Sequence, residues 1–329
     1  MAIGSGVGSQ FGFSDESTYG TYVAPTIFLR ATQAAVTPTY ERPEGEGIQT
    51  GVLGNLQAHH VQTTQAATAN VSFDAVTRGM GKILQWISGG TSASSVNTST
   101  SYTQTHTLAA LTKAGSWQVG VPNRAGTVTP MTLKGGMVTS AEFSCGQNEI
   151  LSCSVEVDGQ AFTTSESLAS ASYLADKPFH FGQGTLKLGT KDSEAAVAGI
   201  RSVSLSFSRS LDVEDYTFGA SGLKTQPVDA GNVEISGSIE IDWTAATKAA
   251  FHDRFVANTA TSLVWEFVGD EIESSYDETL SFQIPGVRFD GEAESVDGKD
   301  AITNSYDFMW RYDGTNLPII TYITADSSI

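Results

Sequence analysis

The chain has little of what enzymes, membrane spans and nucleic-acid binders usually depend on. Its 329 residues include two cysteines, five histidines and nine prolines, and only 16% of them are charged. The cysteines, Cys145 and Cys153, flank the turn-like run Cys-Gly-Gln-Asn-Glu. Two cysteines fall short of a zinc ligand set or a disulfide framework. Alternation puts each on an apolar face, so buried thiols are expected, with a cross-strand disulfide as the lesser alternative. No apolar run approaches the roughly 20 residues a spanning helix needs. The opening MAIGSGVGSQFGFS lacks the basic region and apolar core of a signal peptide, so folding in a reducing cytosol is expected. Bases number 18 against 36 acids, a formal charge of −18. A protein that grips nucleic acid clusters Lys and Arg to release counterions. Nothing here is clustered that way, and the chain repels phosphate. It can coexist with DNA without holding it.

Motifs that carry chemistry are missing too. His59 and His60 are adjacent, so on extended backbone they point to opposite sides, and neither they nor His106 have metal-ligand spacing. The acid groups Asp212/Glu214/Asp215, Asp270/Glu271/Glu273 and Asp297/Asp300 do not match a twelve-residue calcium loop. GSGVGSQFG has neither a preceding strand nor a following Lys-Ser/Thr, which argues against a phosphate loop. There is no Gly-x-Ser-x-Gly. Paired carboxylates for sugar cleavage need only proximity in space and stay open as a third reading. No catalytic, cofactor-binding or metal-binding residue is expected, and no cofactor; the residues read as those of a non-enzyme.

What is present is alternation. In IRSVSLSFSRS (200–210), Val203, Leu205 and Phe207 share one face and the serines the other. In NVEISGSIEIDW (232–243), Val233, Ile235, Ile239 and Ile241 oppose Glu234, Ser236, Ser238 and Glu240. Further strands are predicted at 26–32, 68–74, 102–108, 116–121, 127–133 and 262–268. GMVTSAEFSCG (136–146) and EILSCSVEVDG (149–159) read as a hairpin, and 179–189 as a hairpin-like run turned by Gly-Gln-Gly. A helix is predicted over 74–90, with Asp74 as N-cap and Gly89-Gly90 as stop. A second covers 244–258, where Phe251 and Phe255 stand one turn apart. Residues 1–25 read as an extended arm, 91–101 as a Ser/Thr loop and 269–278 as an acidic loop. The segments 36–66 and 211–231 read as long polar loops, and loops beyond roughly 15 residues usually have a job.

The order strand, long loop, strand running into helix, strands, closing hairpin occurs twice. The expected division is an arm (1–25), a first domain (26–159), a linker (160–178) and a second domain (179–329). The closing pair 284–295 and 301–314 mirrors the first hairpin. A Ser/Thr-rich two-domain β-sandwich of adhesin or capsid-decoration type is the alternative, with Tyr40, Tyr102 and Trp117 as ligand platforms.

The stretch FGFSDESTYGTYVAPTIFLRATQAAVTPTYERPEGEGI resembles the opening of the major tail tube proteins of long-tailed bacteriophages, the type with a duplicated tail-tube domain. There a Gly-aromatic and an acidic-x-x-Tyr-Gly-Thr motif precede a first strand and an Arg-containing polar loop. PFHFGQGTLKLG, IRSVSLSFSRSLDVEDYTFG and NVEISGSIEIDW resemble the family's second half. Where the family often has Asn-Asn or Asn-Asn-Leu, this chain has Ser210-Leu211-Asp212. The resemblance implies a mainly β chain of two tandem β-sandwich or rolled-barrel domains, each with one flanking helix. It implies rings of three chains with pseudo-sixfold symmetry, or of six, stacked into a virion tube assembled in the host bacterial cytoplasm. The implied partners are other copies, a tape measure and terminator or tip proteins. DNA would pass through without specific binding, and no membrane is involved. Glu142, Glu156, Glu234 and Glu240 become candidate lumen acids. Tyr40, Glu41, Arg42, Glu44, Asp212, Glu214, Asp215 and Tyr216 become candidate inter-ring loop residues, and the arm would cross a subunit or ring boundary.

Overall fold

A computed structural model describes residues 5–48, 50–291 and 301–329. The fold is mainly β, as the alternation requires. Strands β1 (Gln10–Asp15), β2 (Ile27–Leu29), β3 (Ala31–Glu41) and β4 (Thr64–Asp74) lead into helix α1 (Gly81–Ser88). Strands β5 (Thr91–Val96), β6 (Tyr102–Thr107), β7 (Gly115–Pro122), β8 (Val128–Cys145), β9 (Ser152–Gly159) and β10 (Ala161–Thr163) complete the first half. The second half contains β11 (Gly184–Thr190), β12 (Ser193–Ala196), β13 (Ile200–Leu211) and β14 (Asp229–Asp242). After helical turns α2 (Ala245–Thr247) and α3 (Asp253–Val256) come β15 (Thr261–Glu273), β16 (Tyr276–Gly291), β17 (Thr303–Trp310) and β18 (Ile319–Thr324).

One long antiparallel sheet runs β3-β4-β9-β8-β13-β14-β17-β16 and crosses from one half to the other at β8–β13. Smaller sheets cover its apolar face. In the first half β1 pairs with β2 and β7, and β8 with β7 and β10. In the second half β11 pairs with β12 and β15, and β16 with β15 and β18. Both β8 and β16 serve two sheets, and each turns at a glycine with positive φ, Gly135 (+67°) and Gly286 (+75°). That backbone suits a residue without Cβ. The hairpins β3–β4 and β13–β14 share a further irregularity. Thr32 and Arg201 are each an extra residue between paired neighbours, a bulge at the same place in both.

Apolar residues of both halves share one large buried cluster, joined across the halves by Phe143 packing on Phe207 and Phe282. Several expectations need correcting. The N-terminal arm is not free: β1 lies between β2 and β7, and Phe11 and Phe13 are buried against Trp117. Asp74 does not cap α1, because β4 extends through it opposite Ser152, and the helix starts at Gly81. Gly89 does end it, in the left-handed region. Residues 91–96 form a strand against β6 rather than a loop. The stretch 269–278 is mostly a β15–β16 hairpin. The hairpin at 184–196 turns at Lys191-Asp192, after β11, and not at Gly-Gln-Gly. The first long loop shrinks to 42–63, since β3 keeps its pairing through Glu41. The run 284–295 divides, since 284–291 ends β16 and 292–295 lies outside the described residues, as do Asp297 and Asp300.

Candidate assembly surface

The long sheet has one polar face, built by period-two alternation and carried across strands by register. Directly opposed residues share a face. One row therefore runs Ala35, Asn70, Glu156, Ser140, Ser208, Glu234. A second includes Glu142, Ser206 and Ser236, and a third Ser204, Ser238, Asp307 and Asp290. Glu240 stands opposite Ser202, whose hydroxyl donates to it at 3.3 Å. The four glutamates read from the sequence are thus gathered on one face of one sheet, although they come from β8, β9 and β14. Glu142, Glu156 and Glu234 are exposed and Glu240 half-buried. Asp290 and Asp307 extend the same acidic surface.

Among the described residues the sheet ends in two open edges, β3 and β16. Inside the chain the corresponding edges meet, because β8 pairs with β13 from Ser140–Ser208 to Cys145–Val203. The shared bulge aligns the two hairpins, so Ala34, Val36 and Pro38 of β3 occupy the positions of Val203, Leu205 and Phe207 of β13. Beside β8, Val203, Leu205 and Phe207 are buried. At the open edge, Ala34, Val36 and Pro38 are only half-buried.

The two long loops differ in the same way. Loop 212–228 is fastened to the first half at its base. Lys224 is buried, with Nζ 2.6 Å from Asp158 Oδ1, and its carbonyl accepts from Gln160 Nε2 at 2.9 Å. Gln65 N donates to Gly222 O at 3.0 Å. Arg209, also buried, donates to Asp229 at the loop exit and to the carbonyls of Ile87 and Ala109. Burial pushes the Asp158 carboxyl above its ordinary range, and Lys224 pulls it partly back. Asp212, Glu214, Asp215 and Tyr216 all lie in this loop, whereas Tyr40 and Glu41 are strand residues at the end of β3. Arg42 lies over the Tyr40 ring, 4.9 Å from its centroid. Loop 42–63, including Arg42 and Glu44, is exposed wherever described.

Glu16, from the acidic-x-x-Tyr-Gly-Thr motif, is buried as an anchor. Its carboxylate accepts from Ser116 Oγ (2.6 Å), Gly20 N (2.8 Å) and Gly135 N (2.9 Å), fixing the bend of β8. Burial raises its pKa while those donors lower it. Sequence reasoning missed the Lys224–Asp158 pair; its one signal is that Lys224 is the lone cation of an acid-rich loop. Of the aromatic platforms in the adhesin reading, Trp117 is wholly buried and is unavailable to a ligand, while Tyr40 and Tyr102 are half-buried. Cys145 and Cys153 are buried free thiols, and burial raises the pKa of both, Cys145 to about 11. Among the described residues no group of three or more His, Cys, Asp or Glu could hold a metal, and no helix is long and apolar enough to cross a membrane. A family model described as phage tail tube protein matches residues 6–309. No curated protein matches the chain.

Proposed function

The chain belongs to the phage tail tube protein family, a structural component of the virion tail, and from that premise we propose how it builds a tube. The β16 edge of one copy pairs with the β3 edge of the next, repeating between copies the β8–β13 pairing inside each. The observation that carries this reading is the burial contrast: Val203, Leu205 and Phe207 are covered, while Ala34, Val36 and Pro38 at the same positions await a neighbour. An open edge invites pairing, and a closed ring removes both edges. Carrying the internal register over sets Asp290 opposite Thr39 and Gly291 opposite Pro38 of the next copy.

Residues 26–159 and 179–329 act as two tail-tube domains, with 160–178 between them. The support is the repeated pairing scheme, the shared bulge and the two glycine bends. Three chains then make a ring of pseudo-sixfold symmetry. Its polar face lines the channel, where Glu142, Glu156, Glu234 and Glu240 repel passing phosphates. The tips of the two long loops reach the next ring, and Leu53 and Phe218, fully exposed there, supply apolar contacts. The chain has no catalytic role. Tape-measure and terminator or tip proteins are its further partners, by family likeness, and assembly takes place in the host bacterial cytoplasm. Negative-stain microscopy of the purified protein across a concentration series tests the proposal. Rings or hollow tubes are expected, and monodisperse monomers under every condition would sink it.

A further inference from the structure

The junction inside the chain has a second part besides strand pairing. The base of loop 212–228 folds over the polar face of the first half: Leu211 packs on the cluster of Leu111, Ala114 and Met137, and Lys224 meets Asp158. Met137, Asp158 and Thr68 stand in one cross-strand row. The corresponding row of the second half is Arg288, Met309 and Ser236. It is uncovered. Met309 is 38% exposed, and with Phe289, Phe255 and Arg311 these residues line a groove of about 700 Å³.

The corresponding loop, 42–63, carries the side chains such a groove would take. Leu56 and Val61 are exposed on its return limb. Each loop is pinched by an isolated bridge, Tyr216–Lys224 in one and Glu44–His60 in the other, which sets His60 where Lys224 stands. Glu44 is tied to that limb by Asn55 Nδ2 at 2.9 Å and His60 Nδ1 at 3.3 Å. Charge is complementary with the sign reversed. Inside the chain the sheet offers an acid and the loop a lysine. In the groove the sheet offers Arg288 and Arg311, and the loop brings Glu44. The groove also holds Asp290 and Asp307, which can accept from the imidazole N–H groups of His59 and His60.

We propose that this groove docks the return limb of the loop, residues 56–61, from a second copy of the chain, beside the strand edges that join the copies. The inference rests on the ring reading and names a second lateral contact within it. Leu56 and Val61 cover Met309, the exposed apolar side chain of that row, and the loop tip stays free for stacking. Covering these side chains removes apolar surface from water, the same gain that fastens loop 212–228 internally.

Photo-crosslinking from Met309→p-benzoylphenylalanine at ring-forming concentration tests it. The expected product is a covalent dimer in which peptide mapping joins residue 309 to 56–61. Normal rings whose cross-links from 309 fall elsewhere would overturn the inference and leave the ring reading standing; absence of any association would overturn both. A second variant, Leu56→Asp with Val61→Asp, alters side chains exposed in the free chain, so its fold and melting are expected to be unchanged. The concentration at which rings appear should rise about ten-fold or more. An unchanged threshold would also overturn the inference.

Discussion

At the residue scale, the buried pair Lys224–Asp158 connects the second half to the first. Both groups are largely out of water, so removing one partner leaves an uncompensated buried charge, which typically costs about 3–5 kcal/mol. Lys224→Met should therefore lower stability by about 3 kcal/mol in urea unfolding. Adding Asp158→Leu should recover most of the loss, because the pair itself contributes little beyond mutual compensation. His106 makes a different test. It is wholly buried, with Nδ1 2.6 Å from Ser92 Oγ, and burial followed by the charge of Lys82 lowers its pKa from 6.5 to about 4. The fold holds it neutral, so this contribution is fully present above pH 6.5 and is lost as pH falls towards 4. The lost share is about 3 kcal/mol. Burial raises the Glu16 and Asp158 pKa values, which acts in the opposite sense on acidification. The difference between the parent chain and His106→Gln isolates the histidine. That difference should shrink as pH is lowered from 7 to 4, and a flat one contradicts the assignment.

At the element scale, what the sequence disclosed depended on how local the cause was. The β13 and β14 strands were legible because one face is buried at Val203, Leu205 and Phe207 and at Ile235, Ile239 and Ile241, which enforces alternation. The start of α1 was not, because Asp74 is held extended by β9, a partner far along the chain. The serines of 92–95 read as loop, yet β6 lies alongside and takes their backbone into a ladder. The same holds for β1, whose only local signals are Phe11 and Phe13. Among the candidate site residues, the polar facing of the four glutamates was legible through alternation. Their common face was not, since it depends on β8–β13 pairing. For loop 212–228, base and tip are expected to separate experimentally. Phe218→Asp at the exposed tip should leave rings intact and stop their stacking, seen as short discs in place of tubes. Tubes of normal length would remove the tip from the stacking contact.

At the scale of the whole molecule, the −18 charge and the repeated pairing scheme both fit the proposed tube. In that proposal the acidic face lines the channel through which a polyanion slides, and the repeat lets few chains close a ring. Glu234→Lys with Glu240→Lys should slow or block DNA ejection from assembled tails while leaving assembly largely intact. Normal infectivity of that double variant would take these residues off the lumen wall. The central claim is that the chain's own β8–β13 junction is repeated between copies. Cryo-microscopy class averages of single rings test it most directly. The account predicts three chains per ring, six near-equivalent lobes and a sheet that continues unbroken from β16 of one copy into β3 of the next. Rings of any other chain number, or rings in which β3 and β16 stay unpaired, would contradict it.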